Sequence, residues 1–271
     1  MNEASSSSPV SALPDLKPGD SYVQSFARGL AVIRAFSAEA PRQTLTEVAK
    51  RCGLTRAGAR RILLTLETLG YVRSDGRLFY LTPKILDLGF AYLSSQPLWQ
   101  FAEPVMQTLV ADLKESCSAA VLEGGDIVYV LRVPARKIMS INLGLGSRLP
   151  AWCTSMGRVL LAALPPEELE AHLRLVQLQA HTARTVANLD ELRLRIAAAR
   201  EQGWCLVNQE LEEGLVSLAA PIVDRHGRTI AALNVSAQVN RNPPESLLAQ
   251  HLPRLLEAAQ NISRLLQIRA V

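Results

Sequence analysis

Thr44-Leu45-Thr46-Glu47 is a capping-box pattern: a hydroxyl and a carboxylate three residues apart can satisfy each other's backbone donors and so begin a helix. The apolar residues that follow, Leu45, Val48, Ala49 and Cys52, share one helical face. Gly53 stops this helix, Leu54 fills the turn, and Thr55 is placed to cap a further helix running to about Leu69. Two short helices across a glycine-containing turn are the pattern of a helix-turn-helix. An earlier helix is predicted from Ser25 to Phe36 by the three- and four-residue spacing of Phe26, Leu30 and Ile33, with Pro41 closing the connection.

The helix after Thr55 carries the chemistry. Ala59, Ile62, Leu63, Leu66 and Leu69 form its apolar stripe. Turning half a circle reaches Ala57, Arg61, Leu64 and Thr68, with Arg60 beside them. Small residues let a helix enter the major groove closely, and arginine can grip guanine or phosphate through its forked donors. Gly58 within a helix costs about 1 kcal/mol relative to alanine, a cost that suits close approach of the backbone to a partner. A solvated face is the ordinary alternative for Arg56, Arg60 and Arg61, and Leu64 either touches a thymine methyl or packs on a neighbour. After Gly70, residues 71–81 read as two strands around Ser74-Asp75-Gly76-Arg77. Such a hairpin is a wing, with Arg73 and Arg77 near its tip, in reach of phosphates or the minor groove. The expected DNA-binding set is Thr55, Arg56, Ala57, Gly58, Arg60, Arg61, Thr65, Arg73 and Arg77.

Charge agrees with this geometry. The 271 residues carry a net charge of +4, yet residues 22–84 alone hold eleven Lys and Arg against four acids. Residues 1–21 have one Lys against three acids, and residues 85–271 have seventeen cations against eighteen acids. Concentrated positive charge is an electrostatic footprint for a polyanion. Hydrophobic residues make up 48% of the chain, enough for a core, without an apolar run long enough to suggest a membrane span. Ser5 to Ser8 with Pro9, Pro14 and Pro18 predict a disordered leader over residues 1–21. It has neither the basic start nor the apolar stretch of a secretory signal, so a cytoplasmic protein is expected. Cys52, Cys117, Cys153 and Cys205 form no C-x-x-C pair and read as reduced core residues.

Beyond residue 84 the pattern changes. A linker helix is expected over 85–96 and a second helix from about Trp99 to Ser116. Strands follow at residues 119–122, 126–132 and 139–143, and then a loop from Gly144 to Cys153. Helices are predicted over about 155–163, 166–175, 189–202 and 244–268, and strands over 204–208, 216–223 and 229–236. Strands flanked by helices make this an α+β sensor fold. The helix start at Thr154-Ser155-Met156-Gly157 offers free N–H groups and the positive end of a helix dipole to a carboxylate. Ser155 can add a hydroxyl, and Arg132 and Arg148 are candidate carboxylate partners with surface ion pairs as the alternative. Trp152, Met156 and Trp204 supply either an aromatic-tolerant wall or core packing.

The start at Ser25-Phe26-Ala27-Arg28-Gly29-Leu30, the helix from Thr46 to Gly53 and the stretch Leu66-Glu67-Thr68-Leu69-Gly70-Tyr71-Val72 resemble the DNA-binding part of the IclR family of bacterial transcription regulators. The resemblance spans nearly all of residues 22–268. Residues 55–66 and 152–162 are similar to the branch controlling protocatechuate, p-hydroxybenzoate and β-ketoadipate breakdown. It implies an N-terminal winged helix-turn-helix (22–84), a linker helix (85–96) and a C-terminal GAF-like α/β effector-binding domain (97–271). It also implies double-stranded operator DNA and a small organic acid effector as partners, a homodimer or dimer of dimers, no cofactor, no metal and no membrane. The effector pocket of the family maps onto Ser155, Met156, Val207 or Asn208, Ser217, Asn234 and Ser236, to which the residue-level reading adds Arg132 and Arg148. Where some members turn an acid and a cysteine toward the ligand, this chain offers Val207 and Ser217, so a relative's effector does not transfer directly. Two other functions can be drawn. One is a small-molecule hydrolase using Cys153 with His172 or His181. The other is a redox or metal sensor using Cys153, Cys205, His226 and His251.

Overall fold

The computed structural model describes residues 22–95, 98–135 and 143–269. The expected leader at 1–21 lies outside them, as does the strand over 139–143 apart from Leu143. Two compact units meet between Ser94 and Ser95.

The first unit opens with α1 (Gln24–Arg34), β1 (Arg42–Thr44), α2 (Leu45–Arg51) and α3 (Arg56–Thr68). The wing strands β2 (Val72–Ser74) and β3 (Leu78–Leu81) follow, then a 3-10 turn and α4 (Leu86–Ser95). The capping box forms as expected, with the Thr44 hydroxyl accepting from the Glu47 N–H and the Glu47 carboxylate accepting from the Thr44 N–H. Val32, Val48, Leu63, Leu66 and Val72 make the core. Three residues of β1 were not predicted as a strand. They have too little length for an alternating pattern, and what defines them is antiparallel pairing with β3 in the order β1-β3-β2. Gln43 is buried there because its side-chain amide donates to the Ala35 and Ala40 carbonyls at 2.8 and 3.2 Å. Leu69, expected on the buried stripe, is 52% exposed. Gly70 at φ +82° ends α3 in a Schellman turn, with Tyr71 N–H on the Leu66 carbonyl and Gly70 N–H on that of Glu67, so the stripe stops one turn early.

The second unit is built on a six-stranded antiparallel sheet, order β6-β5-β4-β9-β8-β7. Its strands are β4 (Ser116–Glu123), β5 (Asp126–Val133), β6 (Arg148–Pro150), β7 (Cys205–Asn208), β8 (Leu215–Val223) and β9 (Thr229–Gln238). The helices are α5 (Leu98–Leu113), α6 (Ser155–Ala162), α7 (Pro166–Leu175), α8 (Leu189–Gln202), the short α9 (Pro244–Ser246) and α10 (Leu252–Arg269). Helices α6 and α8 pack over one face of the sheet through Met156, Leu160, Leu192, Ile196, Ala219 and Ala232. Helices α5 and α10 pack on one another and on the sheet.

Three expectations shift. The helix predicted to Ser116 ends at Leu113, since Lys114 takes φ +57° and Ser116 already belongs to β4. The predicted loop over 144–153 contains β6 and a 3-10 turn at Ala151–Cys153, fixed by pairing with β5. The last helix is interrupted by a π-helical turn at Leu247–His251, next to Pro253, which has no N–H for a regular helical bond.

Candidate nucleic-acid interface and effector cavity

In the first unit, the buried side of α3 is Ala59, Leu63 and Leu66, and this fixes what faces out: Arg56, Ala57, Arg60, Arg61 and Thr65 are exposed. The Thr55 hydroxyl caps the helix by accepting from the Gly58 N–H at 3.1 Å. A Cβ on residue 58 would lie 3.1 Å from that hydroxyl oxygen, so the glycine has a local reason for its place besides any approach to a partner. Thr65 uses its hydroxyl at home, donating to the Arg61 carbonyl at 2.9 Å. Leu64 is on the exposed side. Arg73 and Arg77 are exposed on the wing. None of the five guanidiniums, Arg56, Arg60, Arg61, Arg73 or Arg77, has a hydrogen bond or ion pair among the described residues.

Sequence reasoning missed what sets the wing. Glu67 on α3 accepts from both the N–H and the hydroxyl of Ser74, at 3.1 and 3.0 Å, tying the hairpin to the helix. At the tip, the Leu78 N–H first of all, with help from Arg42 at 3.3 Å, holds the Asp75 carboxyl below its ordinary range.

In the second unit, a cavity of about 270 Å³ opens beside the start of α6. Of the eight predicted effector residues it gathers six: Arg132, Ser155, Met156, Ser217, Asn234 and Ser236. Asn208 is not among the lining residues. Val207 is, because successive strand residues point to opposite faces. Arg148 is also outside: its guanidinium donates to Asp126 at 3.0 Å and to the Glu123 carbonyl at 2.8 Å on the surface. The ion-pair alternative is what the fold adopts for that residue.

The cavity wall is largely hydrogen-bonded. The hydroxyls of Ser155 and Ser217 are 2.9 Å apart. Asn234 accepts from the Ser118 N–H at 3.1 Å and donates to the Ser236 hydroxyl at 3.0 Å. Arg132 donates to the Ser118 hydroxyl at 3.2 Å and is the one cation among the described lining residues. The Thr154 hydroxyl takes the Gly157 N–H at 3.2 Å and caps α6. Gly157 is required there, since a Cβ would fall 2.0 Å from the Ala151 carbonyl oxygen.

The chief omission of the sequence reading is a buried ion pair. Arg158 on α6 donates through both terminal nitrogens to Glu210, at 2.7 and 2.5 Å, and through Nε to the Trp152 carbonyl at 2.9 Å. No local signal exists for partners 52 residues apart. The thiols nearby are quiet. Burial pushes Cys153 up to about 12 and Cys205 up to about 11, with Arg158 pulling weakly the other way. A thiol that stays protonated is a poor nucleophile, which does not favour the Cys153 hydrolase alternative. Among the described residues no three His, Cys, Asp or Glu side chains gather into a metal site.

A winged helix-turn-helix with an unengaged basic face, and a separate unit holding a largely apolar cavity with a few polar groups in its wall, define a DNA-binding regulator with a sensor domain. Residues 25–76 match the IclR helix-turn-helix domain, and residues 90–264 match the IclR C-terminal domain of bacterial transcriptional regulators. The chain belongs to the IclR family of transcription regulators and is not an enzyme. It is similar to the Pca regulon regulatory protein of Pseudomonas putida, with 43% identity over 94% of this chain and 88% of that one. A crystal structure from Rhodococcus sp. RHA1 is 49% identical, with a TM-score of 0.83 over 90% of this chain and 98% of the other. An IclR homologue from Microbacterium hydrocarbonoxydans, crystallised with 4-hydroxybenzoate, is 25% identical, with a TM-score of 0.77 over 89% of this chain and 98% of that one.

Proposed function

We propose that this regulator controls an aromatic-acid catabolic operon, and that a small aromatic or dicarboxylic acid binds in the second unit and alters its hold on operator DNA. The observation that carries this reading is the cavity itself, where Arg132, the Ser155–Ser217 hydroxyl pair and the N-terminus of α6 offer donors to a carboxylate. The 4-hydroxybenzoate of the Microbacterium homologue and the Pca regulon of the Pseudomonas relative support the chemical class. The proposed effector contacts are Arg132, Ser155, Met156, Val207, Ser217, Asn234 and Ser236.

On the DNA side, Arg56, Ala57, Arg60, Arg61 and Thr65 of α3 read or grip the major groove, Thr55 and Gly58 shape its approach, and Arg73 and Arg77 reach the backbone from the wing. The division of labour is 22–84 for DNA, 85–96 as linker and 97–271 for effector. The active species is a homodimer or a dimer of dimers in the cytoplasm, reading half-sites about 34 Å apart or multiples of that. Phe26 on α1 and Leu86 and Phe90 on α4 are about two-thirds or more exposed, which supports burial against a second copy. No helix among the described residues is long and apolar enough to cross a membrane.

A thermal-shift screen with protocatechuate, p-hydroxybenzoate and β-ketoadipate tests the effector reading. A ligand at a hundred times its Kd stabilises the protein by about 2.7 kcal/mol, a shift of several degrees. No shift with any of the three removes the aromatic-acid assignment.

A further inference from the structure

The Arg158–Glu210 pair has no evident stability rationale. Buried ion pairs are commonly neutral or worse beside apolar residues of equal volume. What a planar guanidinium adds is direction: three hydrogen bonds in one plane fix the relative placement of whatever they touch. Here they touch two different segments. Nε holds the Trp152 carbonyl in the turn that leads into α6, and the terminal nitrogens hold Glu210 in the connection between β7 and β8. Both segments supply parts of the cavity wall. The first brings Cys153, Ser155 and Met156, and the second brings Glu210 itself with Leu211 and Glu212.

The second segment is closed on itself. Gln209 N–H donates to the Leu215 carbonyl at 2.7 Å, and Gly214 N–H donates to the Gln209 side chain at 2.9 Å. Thr182 and Thr185 brace it from outside by donating to the carbonyls of Gln209 and Glu210 at 2.6 and 2.7 Å. A shift of Glu210 therefore carries Leu211 and Glu212 with it. Arg158 is fully buried and does not itself line the cavity.

We infer that Arg158 is a positioning residue of the effector cavity, one guanidinium that holds the α6 turn and the β7–β8 connection in register so that the cavity keeps its shape. The inference rests on the cavity being the effector site, as proposed above.

The test uses full-length protein, two variants that disturb the link and a third, Arg158→Lys, that keeps its charge. Glu210→Gln weakens the link, and the double replacement Arg158→Met with Glu210→Leu removes it without leaving a buried charge unpaired. The first readout is hydrogen exchange without ligand. Amides in residues 151–156 and 209–215 are expected to exchange about tenfold faster in both variants, while β8 and β9 keep their protection. The second readout is calorimetric titration with 4-hydroxybenzoate. Its Kd is expected to rise about tenfold in the double variant, with part of the loss recovered in Arg158→Lys, and DNA affinity without ligand unchanged. Unaltered exchange in the two segments overturns the inference, as does acceleration only in concert with β8 and β9, which marks general destabilisation. If the unaltered protein does not bind 4-hydroxybenzoate, the choice of effector fails while the exchange data still decide the role of Arg158.

Discussion

Arginine does opposite work in the two units. In the first, Arg56, Arg60, Arg61, Arg73 and Arg77 stand exposed with no hydrogen bond or ion pair among the described residues. In the second, Arg158 is spent on Glu210 and Trp152, Arg148 on Asp126, and Arg193 on Glu170 and Asp190. Among the described residues Arg132 makes one hydrogen bond, to the Ser118 hydroxyl, and it lines the cavity. The lesson is that residue type does not distinguish a binding cation from a structural one. What distinguishes them is whether the fold has already supplied an acceptor.

The glycines give the sharpest contrast between the units. Gly157→Ala drives a Cβ to 2.0 Å from the Ala151 carbonyl oxygen and toward two more Ala151 backbone atoms, none of which is a flexible side-chain end. We expect a loss of at least about 3 kcal/mol, at the top of the overpacking range. All three tryptophans, Trp99, Trp152 and Trp204, belong to the second unit, so fluorescence-detected denaturation reports on it alone. Gly58→Ala meets only the Thr55 hydroxyl at 3.1 Å. Its helix-propensity gain of about 1 kcal/mol is set against that contact, and calorimetry is expected to find stability changed by no more than about 1 kcal/mol.

The next effects separate the two classes of arginine. Arg132→Ala is expected to weaken effector binding by about 1.5–3 kcal/mol, the range for a hydrogen bond to a charged group, without altering ligand-free DNA binding. Arg60→Ala or Arg61→Ala is expected to cost about 1–3 kcal/mol in operator affinity, with thermal stability within about 0.5 kcal/mol of the parent. Anisotropy titrations across a salt series refine this further: a variant that loses a phosphate contact also flattens the salt slope by about one. A lower melting point for Arg60→Ala, or impaired ligand-free DNA binding for Arg132→Ala, breaks the comparison.

The smallest expected effect is a pH response confined to the second unit. Burial holds His172 below its ordinary value of 6.5, against a weaker opposing pull from Asp126, and its buried Nε2 finds no hydrogen-bond partner among the described residues. The unfolded chain therefore takes up the proton first as pH falls. Stability is full above about pH 6.5 and declines below it toward the folded-state value. His172→Phe removes that slope, which a series of tryptophan-detected melts from pH 7.5 to 5 measures.

Most of the first unit was legible from the sequence because its logic is local. The capping box, the Thr55 cap, the apolar stripe of α3 and the Ser-Asp-Gly-Arg turn each act within a few residues, and the outward arginines follow from helix periodicity. The exceptions were β1 and the exposure of Leu69, both decided by pairing or termination at the edge of an element. In the second unit the described helices and the strands over 116–133, 205–208, 215–223 and 229–238 were largely placed, apart from β6 and the break in the last helix, and the α6 start was read as a ligand-facing helix terminus. The choice between Val207 and Asn208, and between a ligand contact and a surface ion pair for Arg148, was left open, because a strand's facing and an arginine's partner depend on distant chain.

By itself the sequence determined most of the elements, the basic face of α3 and the family, since periodicity, capping and charge density are properties of neighbouring residues. Only the tertiary structure decided which polar groups converge. Ser155 meets Ser217 and Arg158 meets Glu210 across separations of 62 and 52 residues. Such meetings are set by sheet order and helix packing, and no short-range pattern encodes them.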